Sequence, residues 1–238
     1  MRNYIVFAGK SLKDFGVYIS GPGIFDAPER DTKSVAIPGR NGELTLDNGR
    51  YKNQKGKFPA FIVKKLAKNA EGLRNYVLGL SGFQRFEDTY NSDEYRLAKY
   101  SGGFKFNPLD ELKEAKFDLN FEFYPQRFLK IGEEYISLAN GSSILNPTLM
   151  TAKPLIKMTT TSDGTHKFTL GDIEVACTKH SSVIFIDCEQ EEAWDDSLVN
   201  MNSYISLTHG VFPYLPAGET GLTTTNCTIE IMPRWWRL

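Results

Sequence analysis

The 238-residue chain has only three cysteines, Cys177, Cys188 and Cys227. So odd and sparse a set excludes a disulfide framework as the source of its stability, and the three read as reduced thiols of a protein made in a cytoplasm. Long hydrophobic runs are missing too. The apolar stretch near the start spans only about five residues, so neither a signal-peptide core nor a helical membrane span is expected there, and no later run reaches the ~18 residues a span requires. An excess of either charge is also lacking: 28 basic residues stand against 29 acidic ones, a net charge of -1. That balance argues against a protein gripping nucleic acid over its whole surface. No Gly-x-Ser-x-Gly elbow, no phosphate-cradling glycine loop with a following lysine and no dinucleotide fingerprint occurs. The sequons at Asn140 and Asn226 are expected chance matches in a chain without a secretory signal.

What is present describes an ordinary folded polypeptide. Hydrophobic residues make up 41%, aromatic 13% and charged 24%, which excludes disordered, collagenous and coiled-coil classes. The length exceeds the ~150-residue expectation for one domain, leaving one large all-β domain or two ordinary ones. Charge favours two: the first 130 residues hold 22 basic and 16 acidic side chains, and the last 108 hold 6 and 13. The halves therefore carry +6 and -7. After the break Lys and Glu give way to Thr, Ser, Val and Ile.

In the first part, alternating or short apolar runs predict strands at 4–7, 17–20, 34–37, 44–46, 58–63, 96–100 and 116–123. The last alternates cleanly, with Phe117, Leu119, Phe121 and Phe123 on one face. Ala70, Leu73, Val77 and Leu80 recur at helical spacing, with Asn69 as the expected N-cap and Ser81-Gly82 as the stop. Between two strand candidates, Pro38 to Glu43 contains Asn41-Gly42, which tolerates the positive φ angles of a tight hairpin turn. Residues 131–146 have the Gly and Ser content of a linker around a short strand candidate. Beyond them strands are predicted at 154–160, 167–170, 173–177, 182–188, 204–207, 222–225 and 228–232, with turns every eight to twelve residues, the spacing of an antiparallel sandwich.

Four groups of residues are candidates for chemistry or contact. Alternation at a strand end would place Asp187, Glu189 and Glu191 on one face about 7 Å apart per step, near the separations of glycoside hydrolases; a solvated acidic turn is the stronger reading. Cys177 and His180 have the spacing of half a zinc site, but a second pair of ligands is missing. Seven basic residues between Arg50 and Lys68, among them Lys52, Lys55 and Lys57, are interleaved with Tyr51, Phe58 and Phe61. Such a pattern is either a nucleic-acid track or a solvated strand pair with a buried apolar face. Finally, Trp235 and Trp236 close the chain, and large aromatics there either dock on the protein itself or meet a partner.

Six segments taken in order resemble the distal tail protein family of long, non-contractile-tailed bacteriophages. They are Ile37-Pro38-Gly39-Arg40-Asn41-Gly42-Glu43-Leu44, Tyr124-Pro125-Gln126-Arg127-Phe128-Leu129, Asn146-Pro147-Thr148 with Lys153-Pro154-Leu155-Ile156, Ile186-Asp187-Cys188-Glu189, Phe212-Pro213-Tyr214-Leu215-Pro216-Ala217-Gly218-Glu219 and Pro233 to Leu238. The resemblance implies a mainly β chain, with a β-sandwich-like ring domain with one helix over residues 1–130, a linker over 131–146 and a galectin-like antiparallel β-sandwich over 147–238. It implies a homohexameric ring at the tail tip of a virion, assembled in the host cytoplasm, joining the tail tube protein to a tail-associated lysin or fibre protein. Receptor-binding or baseplate components would attach to the outer domains. No cofactor, metal, membrane or sequence-specific nucleic acid is expected, and no catalytic residue. Arg40, Asn41, Glu43, Lys52, Lys55, Lys57, Trp235 and Trp236 are the expected assembly contacts. A carbohydrate-binding module and a β-sandwich glycoside hydrolase are the alternatives.

Overall fold

The computed structural model describes residues 2–21, 23, 26–109, 113–161, 164–178 and 182–238. The fold is mainly β, with 53% of residues in strands and one α-helix among the described residues. It divides into two compact units, residues 1–127 with Leu238, and residues 128–237.

The first unit contains β1 (Ile5–Phe7), β2 (Lys10–Ser11), β3 (Val17–Ile19), β4 (Arg30–Ala36), β5 (Glu43–Tyr51), β6 (Gln54–Ile62), α1 (Leu66–Leu78), β7 (Gln84–Asp88), β8 (Glu94–Tyr100), β9 (Asn107–Leu109) and all but the last two residues of β10 (Glu114–Leu129). Its large sheet runs β2-β1-β7-β8-β10-β6-β3, with β9 on a further stretch of β10. The alternation read in β10 places Phe117, Leu119, Phe121 and Phe123 in the core at 4% exposure or less. Phe121 meets Phe7 at 5.1 Å and Phe86 at 5.0 Å, both edge to face. Each such ring contributes about 1.5–3 kcal/mol through burial alone. On the opposite face of the same strands stand Lys55 and Lys57 of β6 and Asp118 and Glu122 of β10.

Helix α1 buries Leu66, Ala70, Leu73 and Val77 against this core, the expected apolar stripe extended by one turn at its start. Asn69 is therefore inside the helix instead of capping it, and its amide donates to the Lys64 carbonyl at 3.0 Å. The helix ends at Leu78, before Ser81-Gly82. Gly16 shows a real constraint of the local chain. It adopts φ +67°, and a Cβ there would lie 2.6 Å from the Val63 carbonyl oxygen, so only glycine fits.

In the second unit, β11 (Ile136–Leu138), β12 (Ser143–Asn146), β13 (Leu155–Thr160), β14 (His166–Leu170), β15 (Ile173–Cys177), β16 (Val183–Asp187), β17 (Glu192–Asp195), β18 (Ile205–Leu207), β19 (Gly218–Thr225) and β20 (Cys227–Met232) form two sheets. Their orders are β11-β20-β13-β16-β17 and β12-β19-β14-β15-β18. Ile156, Met158, Ile184 and Ile231 of the first sheet and Phe168, Leu170, Val175 and Leu222 of the second share one buried core, the arrangement of an antiparallel sandwich. Residues 131–146, linker-like in composition, carry β11 and β12, which hydrogen-bond to β20 and β19. Gly and Ser there serve turns between short edge strands.

Candidate assembly surface

Strands β4 and β5 form a two-stranded sheet of their own, separate from the large sheet. The expected turn at Asn41-Gly42 lies at its tip, where the Arg40 N–H donates to the Ile37 carbonyl at 3.1 Å. Register pairs Val35 with Leu44 and Lys33 with Leu46, while Ser34 faces Thr45 and Ala36 faces Glu43. Directly opposed residues share a face and alternate residues repeat it. One face of this ribbon is consequently Lys33, Val35, Leu44 and Leu46; the other is Ser34, Ala36, Glu43 and Thr45. The apolar side is uncovered: Val35 is 36%, Leu44 45% and Leu46 48% exposed, with Ile37 at 37% beside them. Arg40, Asn41 and Glu43 are exposed at or next to the tip.

Ion pairs lace the root of the ribbon. Arg30 binds Asp47 at 2.9 Å and lies over the Tyr51 ring at 4.9 Å; Arg50 binds Asp31 at 2.7 Å and Lys52 approaches Glu29 at 3.5 Å. The Arg50 hydrogen bond holds the Asp31 carboxyl below its ordinary pKa. The Gly49 N–H, followed by Arg30, does the same to Asp47. Below the root, Gln54 is buried and bridges two elements: it accepts from Arg96 at 3.0 Å and donates to the Asp26 carbonyl at 2.5 Å. Burial, then the nearby Arg127 charge, brings Arg96 down to about 10.

The basic segment of β6 lies on a face that already contains its counter-ions. Lys57 pairs with Asp118 at 2.9 Å, and Lys55 stands opposite Glu122, itself bound to Lys99 at 3.1 Å. Phe58 and Ile62 point the other way, into the core. This is the solvated strand with a buried apolar face; a continuous cationic track would leave the carboxylates out.

Of the two terminal tryptophans, Trp235 docks on the protein itself. It is 3% exposed within the core of the second unit, because Leu129 N–H donates to its carbonyl and Arg234 N–H donates to that of Gly132, clamping the terminal segment down. Trp236 is half-buried, with its indole N–H on the Thr151 carbonyl at 2.9 Å.

The three carboxylates do not line up. Strand β16 ends at Asp187, whose Oδ1 accepts the N–H groups of Glu189 and Gln190 at 2.9 and 3.1 Å and so closes a turn. Both Asp187 oxygens also accept from Arg234 at 2.8 Å. Burial alone would raise the Asp187 pKa, but the Arg234 bonds and the two backbone donors outweigh it and the pKa is lowered. Glu189 and Glu191 are exposed beyond the turn. Sequence reading missed Arg234 as the partner because 47 residues separate the pair. As for the half zinc site, Cys177 is fully buried and His180 lies outside the described residues.

No family model and no curated protein sequence matches the chain. Solved structures do. The Dit protein of phage SPP1, described as a paradigm of the hub adsorption apparatus in phages infecting Gram-positive bacteria, superposes with a TM-score of 0.80 at 12% identity, covering 100% of both chains. Chains of the phage P2 baseplate in its activated conformation match with TM-scores of 0.52 with Ca, over 97% of each chain, and 0.54 with Sr, over 100% of this chain and 98% of that one, both at 9% identity. From end to end, the chain has the fold of the SPP1 Dit protein.

Proposed function

We propose that the chain is a structural hub of a phage tail tip that works by assembly, with no catalytic turnover. The observation that carries this reading is the uncovered apolar face of the β4–β5 ribbon, Val35, Leu44 and Leu46. Two strands alone are marginal in water, and contiguous exposed apolar residues mark interaction surfaces. An identical neighbour is the simplest cover: one heterologous contact repeated under rotation closes a ring. Six copies follow from the resemblance to distal tail proteins, supported by the fold shared with the SPP1 hub protein over both full lengths. In this reading Arg40, Asn41 and Glu43 at the ribbon tip, and Lys52, Lys55 and Lys57 at and below its root, meet neighbouring subunits, while Trp236 meets an attached component. The ring joins the tail tube protein to a tail-associated lysin or fibre protein. The second unit, a galectin-like sandwich, holds receptor-binding or baseplate proteins. The hydrolase alternative is disfavoured because the Asp187 carboxylate is bound on both oxygens by Arg234.

Light scattering on the full chain tests the ring. The expected species is a hexamer, and Leu44→Asp is expected to yield monomers with an unchanged far-ultraviolet dichroism spectrum, since it alters an exposed residue. A native chain that stays monomeric at every concentration, including with its tail tube partner, would overturn the proposal.

A further inference from the structure

The second unit has an open cleft of about 410 Å³, within the range of small-ligand sites. Thr151, Lys153, Glu191, Val211, Phe212 and Tyr214 are among the residues that line it. Its walls are fixed before any ligand arrives. The turn at 146–150, which leads into the lining residue Thr151, is held by Asn146, which donates to the Met150 and Leu215 carbonyls at 2.9 and 3.0 Å and accepts from the Thr148 N–H and hydroxyl. An antiparallel bridge joins Ala152 to Leu215. Phe212 packs against the core and backs the site.

Two of the polar groups here are not spent on the fold. Tyr214 is 45% exposed, and neither its hydroxyl nor the exposed Glu191 carboxylate has a hydrogen-bond or ion-pair partner among the described residues. Lys153 stands at the rim, 3.8 Å from Glu189. We propose that this cleft binds a saccharide, with the Tyr214 ring stacking on the C–H face of a hexose and Glu191, Lys153 and Thr151 hydrogen-bonding its hydroxyls. An apolar side chain from a protein partner fits less well. It would bury the Glu191 carboxylate and the Tyr214 hydroxyl without partners, which costs free energy, whereas sugar hydroxyls both donate and accept. The inference is independent of the ring, since it uses no residue of the first unit.

The full native chain should be titrated by calorimetry with maltose, lactose, cellobiose and N,N′-diacetylchitobiose, following tryptophan fluorescence in parallel because the Trp236 indole is bonded to Thr151 at the cleft. At least one of these disaccharides is expected to bind with a Kd on the order of 1 mM. Tyr214→Ala should weaken that binding by about tenfold or more, roughly 1.4 kcal/mol. Tyr214→Phe should keep most of it, and Glu191→Gln should weaken it several-fold. Because both residues are exposed, all three variants are expected to fold. The proposal is overturned if none of the four sugars binds below about 10 mM, or if Tyr214→Ala binds as the native chain does.

Discussion

Replacing Asp187 by Asn preserves the side chain's shape and removes the charge that Arg234 grips through two 2.8 Å hydrogen bonds. The Asp187 side chain is 4% exposed and that of Arg234 27%, so the pair is enclosed on one side and reached by water on the other. Breaking a buried pair by removing one partner costs about 3–5 kcal/mol, and the partial access of Arg234 places this case near 3. For a unit of this size that corresponds to a fall in Tm of about 15 °C. The assay is built into the sequence: Trp194, Trp235 and Trp236 are the three tryptophans of the chain and all lie in the second unit. Their fluorescence reports its unfolding separately from the first. The pH dependence follows in sign. A carboxyl whose pKa is lowered on folding contributes stability that is present above the unfolded value near 4 and lost as pH falls through the folded one. The native second unit should therefore lose stability on acidification below about pH 4 by more than Asp187→Asn does. Combining Asp187→Leu with Arg234→Met should cost less than the sum of the single changes, because no unpaired charge remains. A shift of less than about 2 °C for Asp187→Asn would refute the reasoning and make the pair a surface contact of little worth.

Two other substitutions probe the local geometry. Gly132→Ala would put a Cβ 2.5 Å from the Trp235 backbone nitrogen, and should destabilise the second unit by about 1–3 kcal/mol, read as a lowered tryptophan-detected Tm; an unchanged Tm would show that the terminal segment moves aside freely. Gln54→Ala removes the bonds that the amide makes to Arg96 and to the Asp26 carbonyl and is expected to cost about 2 kcal/mol in the first unit, measured by urea unfolding followed by dichroism; no change in midpoint would mean that water replaces the amide.

Some of this was legible in the sequence and some was not, for identifiable reasons. Strand β10 announced itself because Phe117, Leu119, Phe121 and Phe123 alternate with polar residues. Strand β7 was silent because Phe86 is the single buried residue in Gln84–Asp88, too little for a period to show. The ribbon was half legible: Asn41-Gly42 marked the turn, yet Val35, Leu44 and Leu46 look in sequence like any strand with one face in a core. Only the structure shows that nothing in the described chain covers them. Alternation misled at Asp187, since it assumes that the strand continues, whereas that carboxylate ends the strand by capping its own turn. Arg234 adopts φ +55°, a backbone state that pattern reading does not assign to arginine. That geometry sets the direction of the terminal segment and lets the guanidinium reach Asp187.

The basic residues of the first half acquire a physical meaning once the pairs are placed. Several of those before residue 130 stand beside carboxylates: Arg30 with Asp47, Arg50 with Asp31, Lys57 with Asp118 and Lys99 with Glu122. Each pair has at least one exposed member, so each contributes roughly 0–1 kcal/mol and their fields fade within a Debye length of about 10 Å at 0.1 M salt. Such charges can align a neighbour at short range but cannot hold it by themselves. The ribbon's apolar face is different in kind, because its burial becomes more favourable when excluded salts such as sulfate are added. In the proposed ring, cohesion therefore belongs to Val35, Leu44 and Leu46, and register to the charged rim. Light scattering of the assembly from about 0.1 to about 1 M salt, over which the Debye length falls to about 3 Å, separates the two. A ribbon-held ring is expected to persist across the series and to be strengthened by sulfate. Dissociation as salt rises would move the principal contact from the ribbon to Lys52, Lys55 and Lys57.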